Sequence, residues 1–394
     1  MERLIKLSEK ISTSIGTGFK RFLYDQIDWE QRLSIILGHR GSGKTTLLLQ
    51  RVHTFPENAI YLSLDDFYFE TYRLVELVDT LVQKGYRHFY FDEVHRYQYW
   101  SSDLKNIYDN YPEIKVVATG SSLLEVVKGQ ADLSRRAVSY YLPGLSFREF
   151  LQLEHKQSFI ALSLQQLIES HQDISSSFLD KTDIEKAFHE YLKYGYYPFY
   201  KESKRFYGQR LLETSNLVLD LDIAPFEDLS YATVRNMKKL MFIISQSVPF
   251  TPNIAKLSER MEVPRNSILK ILDLLHHAKI ITLLKRETKG VSYLQKPEKI
   301  YLQNTNLAWY LADNKPNTGN IRETFFLSQL EVNHQVTSSR FGDFTIDDQF
   351  TFEIGGPSKT NEQIRGIPLS FIAADGIKEG TGNKIPLWLF GFLY

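Results

Sequence analysis

The spacing of apolar positions changes along this chain, and the changes divide it. In the first part, short apolar runs alternate with stretches in which apolar residues recur every three or four positions. Leu33-Ser34-Ile35-Ile36-Leu37, Ala59-Ile60-Tyr61-Leu62-Ser63-Leu64, His88-Phe89-Tyr90-Phe91-Asp92-Glu93 and a run over 115–122 predict four strands. Leu74, Leu77, Val78 and Leu81 form one stripe of a helix over about 71–84, and 103–111 also reads as helical. Phe19, Phe22, Leu23 and Ile27 predict a leading helix or helices within 12–30. Strand and helix alternate, so an α/β fold is expected: a mostly parallel sheet with helices on both faces.

From about residue 158 the period is helical, with Phe159, Leu162, Leu167 and Ile168, then Ile184, Phe188, Tyr191 and Leu192. A further helix is expected over 205–222, ended by Pro225. Helices over 237–246, from 251 onward and over 263–275 precede a strand at 280–284 and another at 292–295. Three helices and a strand–turn–strand wing predict a winged-helix module, whose last helix would enter a DNA major groove. A helix over 319–330 and strands at 342–346, 349–356, 371–374 and 385–390 predict a small α+β domain. The expected domains are therefore 1–155, 156–235, 236–312 and 313–394.

The chain has 394 residues, long enough for two to four domains. Lys+Arg and Asp+Glu are both 47, so no net field draws it to nucleic acid or an anionic membrane. There is no cysteine, which excludes disulfides, thiolate metal sites and cysteine nucleophiles. No signal-like segment opens the sequence and no apolar stretch is long enough to span a bilayer, so a cytoplasmic protein is expected. In the winged-helix region Lys256, Arg260, Arg265 and Lys270 alternate with Glu259, Glu262 and Asp273. Direct DNA contact and packing against its own ATPase domain both stay open there.

The chemistry is concentrated in Gly38-His39-Arg40-Gly41-Ser42-Gly43-Lys44-Thr45, with Thr46 next, between an apolar strand and a leucine-rich helix. That is the strand–loop–helix setting of a phosphate loop, and it predicts a Mg²⁺-bound nucleoside triphosphate as ligand. Glycines let backbone N–H groups turn toward phosphate, Lys44 neutralises the β/γ oxygens, and Thr45 offers a hydroxyl to Mg²⁺. Asp92 and Glu93 end a strand: Asp92 is expected to hold the Mg²⁺ shell and Glu93 to orient the attacking water. Within Thr119-Gly120-Ser121-Ser122 a hydroxyl, here assigned to Ser121, would report the γ-phosphate, or else cap a helix. Arg136, after Arg135, is the candidate for positive charge at the γ-phosphate, from the same subunit or a neighbour. Asp65 is a weaker sheet-end candidate, and His39 and His95 should shape the pocket rim. Ser146 with Glu149 predicts a capped helix start. Glu323, Asp343 and Glu353 could converge on a divalent metal in a nuclease-like tail, but Gly355 stands where that chemistry wants lysine, and Lys359 is the nearest substitute.

This order of motifs resembles a family of prokaryotic AAA-type phosphate-loop ATPases, related to archaeal-type ATPases and carrying a C-terminal domain of unknown function. The likeness runs through Gly38 to Thr45, Tyr90-Phe91-Asp92-Glu93-Val94-His95, Thr119-Gly120-Ser121-Ser122, Leu133-Ser134-Arg135-Arg136 and Leu142-Pro143-Gly144-Leu145-Ser146-Phe147-Arg148-Glu149-Phe150, then Tyr191 to Pro198. Arg135 and Tyr196 stand where relatives usually have glycine, and the tail's usual Glu-x-Lys ends here in Gly355. The resemblance implies an intracellular ATPase, with ATP rather than GTP as ligand; the expected function is Mg²⁺-dependent hydrolysis coupled to movement between the ATPase and the winged-helix and tail domains, with oligomerisation open. The alternative is a nucleotide-gated regulator that binds DNA or a protein and needs little turnover.

Overall fold

The computed structural model describes residues 1–394 except 55–56, 121–132, 134, 180–182, 225–228, 247–250, 287–296 and 314. The chain forms two compact units: Met1–Gly144 with Leu221–Glu227, and Leu145–Asp220 with Asp228–Tyr394.

The first unit is built on five strands: β1 (Leu33–Gly38), β2 (Ala59–Ser63), β3 (His88–Asp92), β4 (Lys115–Gly120) and β5 (Val138–Leu142). They pair in the order β2-β3-β4-β1-β5, and every pairing is parallel. Both faces are apolar. Leu33, Ile35 and Leu37 belong to one core with helices Leu74–Gln83 and Trp100–Asn110, while Ile36 belongs to the other with helix Lys44–Thr54. That is the α/β fold with helices on both faces expected from the alternation of elements.

Two local expectations change. A fifth strand joins the four expected: β5 adds to the free side of β1, where Gly38 pairs with Leu142. The leading helix is Glu2–Thr13 rather than a helix within 12–30, where only Leu23–Gln26 is α-helical. Its buried stripe is Leu4, Ser8 and Ser12, and two serines disguise an apolar face. Ser8 is buried because its Oγ accepts the backbone N–H of Tyr61 at 2.9 Å.

In the second unit, Phe147–His155 starts at Ser146, whose Oγ accepts Glu149 N–H at 3.1 Å while Glu149 Oε2 accepts Ser146 N–H at 3.2 Å. Helices Tyr231–Ser245, Ile254–Met261 and Arg265–His277 are followed by β6 (Ile281–Leu284). Its antiparallel partner is β7 (Lys299–Leu302); the expected strand at 292–295 lies outside the described residues. Helix Thr318–Leu330 and a second five-stranded sheet follow, comprising β8 (Val336–Ser338), β9 (Phe344–Ile346), β10 (Phe350–Gly355), β11 (Ser370–Ala374) and β12 (Lys384–Pro386). The apolar run 385–390, expected as a strand, stops pairing at Pro386 and continues as a buried 3₁₀ turn, Leu387–Phe392. Proline ends the ladder because it has no N–H to donate beyond that point.

His276 closes helix Arg265–His277 against β6, its Nδ1 3.2 Å from the Ile281 carbonyl. Burial first, with Lys279 adding, pushes its imidazole down to about 4 from the usual 6.5. The folded pKa lies below the unfolded one, so the unfolded chain binds the extra proton between those values. Stability from the neutral ring should therefore be complete above about pH 6.5 and decline by about 1–2 kcal/mol toward pH 4. Urea unfolding of the full chain checks this: His276→Gln should flatten that part of the pH profile.

Candidate nucleotide site

The loop after β1 has the backbone its glycines imply. Gly41 has φ 81° and Gly43 φ 98°, a region open to glycine and strained for other residues. Gly38 is required for closeness instead: a Cβ there would lie 2.2 Å from the Leu142 carbonyl oxygen. Ser42 is fully buried, and its Oγ makes no hydrogen bond among the described residues. Arg40 Nη1 is likewise buried without a hydrogen-bond acceptor among them. The orphaned Ser42 hydroxyl and this Arg40 nitrogen, whose ion-pair partner is Asp222 Oδ1 at 4.0 Å, fit a phosphate group.

Lys44 is buried, and its ammonium donates to the Gly38 carbonyl at 3.1 Å and the His39 carbonyl at 2.9 Å. Burial pushes its pKa down, while Glu93, Asp92 and Asp222 oppose that shift. His39 is also buried, with Nε2 3.0 Å from the Tyr141 hydroxyl, so it fills the wall behind the loop. Thr45 and Thr46 begin helix Lys44–Thr54 with their side chains exposed.

Thr45 Oγ1 donates to Asp92 Oδ2 at 2.6 Å, which brings the two expected metal ligands together. Asp92 is 2% exposed and accepts two further hydroxyls, from Tyr61 at 2.8 Å and from Thr119. Order in the sheet explains this: β2 brings Tyr61 and β4 brings Thr119 to either side of β3. Thr119 Oγ1 also accepts the Glu93 N–H at 3.1 Å. Glu93 stands in the left-handed region at φ 53°, costing about 1 kcal/mol for a residue with a Cβ. A 3₁₀ turn, Val94–Arg96, then returns His95, whose Nε2 lies 3.5 Å from Glu93 Oε2.

Several functional side chains escaped the sequence. Arg21, in the stretch read as helix, is buried and grips the phosphate loop through the Ser42 carbonyl. The same guanidinium donates to the Pro143 and Gly144 carbonyls at 2.9 and 2.8 Å. Its only signal was an arginine between Lys20 and Phe22 just after a glycine-containing stretch. Asp222 lies in the distant segment that joins the first unit, with Oδ1 2.8 Å from Arg96 Nη2 and 3.7 Å from His95 Nε2.

Other assignments move. Arg136 pairs bidentately with Asp109, Nε to Oδ1 at 2.9 Å and Nη2 to Oδ2 at 3.0 Å. Asp109 ends helix Trp100–Asn110, where Arg32, just before β1, donates to the neighbouring Tyr108 carbonyl. That is the opposite end of β1 from Gly38, so Arg136 does not reach this chain's own phosphate loop. Ser121 lies outside the described residues. Asp65 accepts the Ser63 hydroxyl at 2.5 Å and lines a separate cavity of about 500 Å³ with Phe69, Tyr97 and Tyr99.

The acids of the tail converge on lysines. Lys299 Nζ lies 3.2 Å from Asp343 Oδ1 and 3.5 Å from Glu323 Oε2. Lys359 folds back to pair with Glu353. Gly355 makes this fold-back possible, since a Cβ there would lie 2.6 Å from the Cβ of Lys359. Burial first, then Asp343, raises the Glu323 carboxyl, and the same two acids hold the Lys299 ammonium up against its burial. Among the described residues no group of three His, Asp or Glu side chains is arranged to hold a metal.

Residues 30–151 match the family model of an AAA domain. Uncharacterized protein MJ1637 of Methanocaldococcus jannaschii is 24% identical over 287 residues, 66% of this chain and 60% of that protein. The chain thus spans about three-fifths of that relative's length. Among solved structures, the Walker-type ATPase PABY2304 of Pyrococcus abyssi is 12% identical, covers 74% of this chain and 95% of its own, and superposes with a TM-score of 0.41. The Thermotoga maritima RuvB Holliday junction branch migration motor is 14% identical, covers 74% and 91%, and gives 0.27.

Arg21→Ala leaves three buried carbonyls without their donor and should destabilise the first unit by about 2–4 kcal/mol. Chemical denaturation, followed by the fluorescence of Trp29 and Trp100, measures it. Arg21→Lys, with one head group for three acceptors, should recover only part of that loss.

Proposed function

We propose that this chain, whose residues 30–151 match the family model of an AAA domain, binds Mg²⁺–ATP between the loop Gly38–Thr45 and the acid pair Asp92–Glu93 and hydrolyses it. The observation that carries this is the 2.6 Å hydrogen bond from Thr45 to Asp92, because those oxygens are the pair a phosphate-loop enzyme shares around its metal. Backbone N–H groups of 41–45, the ammonium of Lys44 and the guanidinium of Arg40 provide the positive surface. A bound Mg²⁺–triphosphate supplies the phosphoanhydride bond and the cationic charge that polarises it.

Asp92 is held as an acceptor by Thr45, Tyr61 and Thr119, which fixes its orientation before ligand arrives. Glu93 takes the water's proton or orients the water, with its backbone N–H tied to Thr119 and His95 beside its carboxylate. Lys44 must exchange its two carbonyl acceptors for phosphate oxygens.

A second reading rests on helices Tyr231–Ser245, Ile254–Met261 and Arg265–His277 with the β6–β7 ribbon. This order supports a winged-helix module, through which nucleotide state would govern contact with DNA or a protein. Hydrolysis coupled to rearrangement between the units is the reading preferred here, in a cytoplasmic protein. Assembly into an oligomer would let a neighbouring chain supply the arginine that Arg136 does not supply in its own.

Separate variants distinguish binding from turnover. Glu93→Gln should keep Mg²⁺–ATP affinity within about threefold and lower hydrolysis by about 10²-fold or more. Lys44→Ala should weaken binding itself by about 10²-fold. Calorimetry and phosphate release measure the two effects; equal phosphate release from wild type and both variants would exclude hydrolysis at this site.

A further inference from the structure

The most unusual group beside the loop is Asp222, which comes from a segment more than 120 residues beyond the acid pair. Its carboxylate is buried, 2% exposed, beside two arginines and a histidine. Arg96 Nη2 lies at 2.8 Å, His95 Nε2 at 3.7 Å and Arg40 Nη1 at 4.0 Å, all from Oδ1. Arg40 belongs to the phosphate loop itself. His95 Nε2 is shared with Glu93, the expected water-orienting residue, at 3.5 Å. One carboxylate therefore engages both the loop's arginine and the histidine beside the acid pair.

The backbone that carries Asp222 is itself exceptional. Val218–Ile223 is a π-helical turn, wider than an α-helix and less well bonded along its axis. The division between the two units falls inside it, between Asp220 and Leu221. Leu217 and Leu221 are 40% and 44% exposed, so apolar side chains on this stretch are incompletely covered. A switch requires an element with two arrangements of similar free energy.

We propose that Asp222 is a displaceable internal anion: it holds Arg40 and His95 until nucleotide occupies the phosphate loop, and its release carries nucleotide occupancy to the turn Val218–Ile223. This deepens the Mg²⁺–ATP reading above and rests on it. Arg40 cannot serve two anions at full strength, and a third carboxylate beside Asp92 and Glu93 opposes added negative charge in the site. The opposition acts most strongly on the terminal phosphate, so a triphosphate feels it more than a diphosphate. Departure of Asp222 would also remove one of the two carboxylates beside His95 Nε2. Asp222 is in this sense a positioning residue, acting through Arg40 and His95.

The test uses the full chain. Calorimetry with Mg²⁺–ATP and Mg²⁺–ADP compares wild type with Asp222→Asn, which keeps the shape and removes the charge. Affinity for ATP should rise about tenfold and for ADP about twofold or less. In parallel, amide hydrogen exchange of 218–223 in the wild type should accelerate when a non-hydrolysable Mg²⁺–ATP analogue binds. A merely structural Asp222 predicts the reverse pattern: both nucleotides bind the variant more weakly and exchange is unchanged. Equal or weaker ATP affinity in a folded variant, or unchanged exchange, overturns the proposal while wild-type binding leaves the nucleotide reading intact. If neither chain binds either nucleotide, both fall. Should Asp222→Asn not fold, the exchange experiment on the native chain decides alone.

Discussion

A buried carboxylate held by hydroxyl groups organises the first unit. Asp92 is almost completely removed from water, a position that disfavours a charge unless donors compensate it. The compensation comes from Thr45, Tyr61 and Thr119, each on a different element. The hydroxyls are neutral, so the negative charge is oriented without being cancelled. Arginine or lysine in their place would neutralise it and remove its value to a metal ion. Strand order makes the arrangement possible: only with β2 and β4 flanking β3 can two neighbours reach one strand end from both sides.

The rest of the site is arranged around that charge. Arg21 draws together the carbonyls of Ser42, Pro143 and Gly144, so the phosphate loop is tied to the chain that follows β5. Gly38 allows β5 to approach where any Cβ would collide with Leu142. Thr119 links Asp92 to the backbone of Glu93, and this helps to hold a left-handed residue where an ordinary strand end would relax. Lys44, Arg40 and Arg96 supply the opposing charge, and Asp222 takes part of it.

The tail domain uses acids differently. Glu323, Asp343 and Glu353 are balanced by Lys299 and Lys359, and the balance explains the departure at Gly355. The stem of Lys359 crosses the space that a side chain at 355 would fill. Lys359, six residues after Glu353, therefore reaches the same carboxylate that a lysine two residues after it would approach along the strand. Ion pairing of this kind outweighs burial for the Lys299 ammonium, whose pKa the two acids hold up, but only partly offsets it for Glu323, whose carboxyl burial and Asp343 keep raised.

Much of this was legible in the residues because local rules suffice for it. Strands β1 to β4, the helix after the glycines, the Ser146–Glu149 cap and the pairing of Thr45 with Asp92 follow from period, capping chemistry and motif spacing. The leading helix was displaced because Ser8 and Ser12 occupy its buried face; Ser8 accepts the Tyr61 backbone N–H there, and Ser12 donates to the Glu9 carbonyl. Tyr61 and Asp222 have no local signature and Arg21 only a faint one: each acts on a partner brought near by strand order or by the return of a remote segment. Arg136 shows the converse, a residue in a recognisable motif that the helix end at Asp109 claims for the far side of the sheet. Sequence by itself determined which ligand chemistry the loop can hold, since glycine torsions and a lysine at fixed spacing are properties of neighbouring residues. Only the tertiary structure decided which charges face one another, because electrostatic energy depends on distance in space and not on separation along the chain.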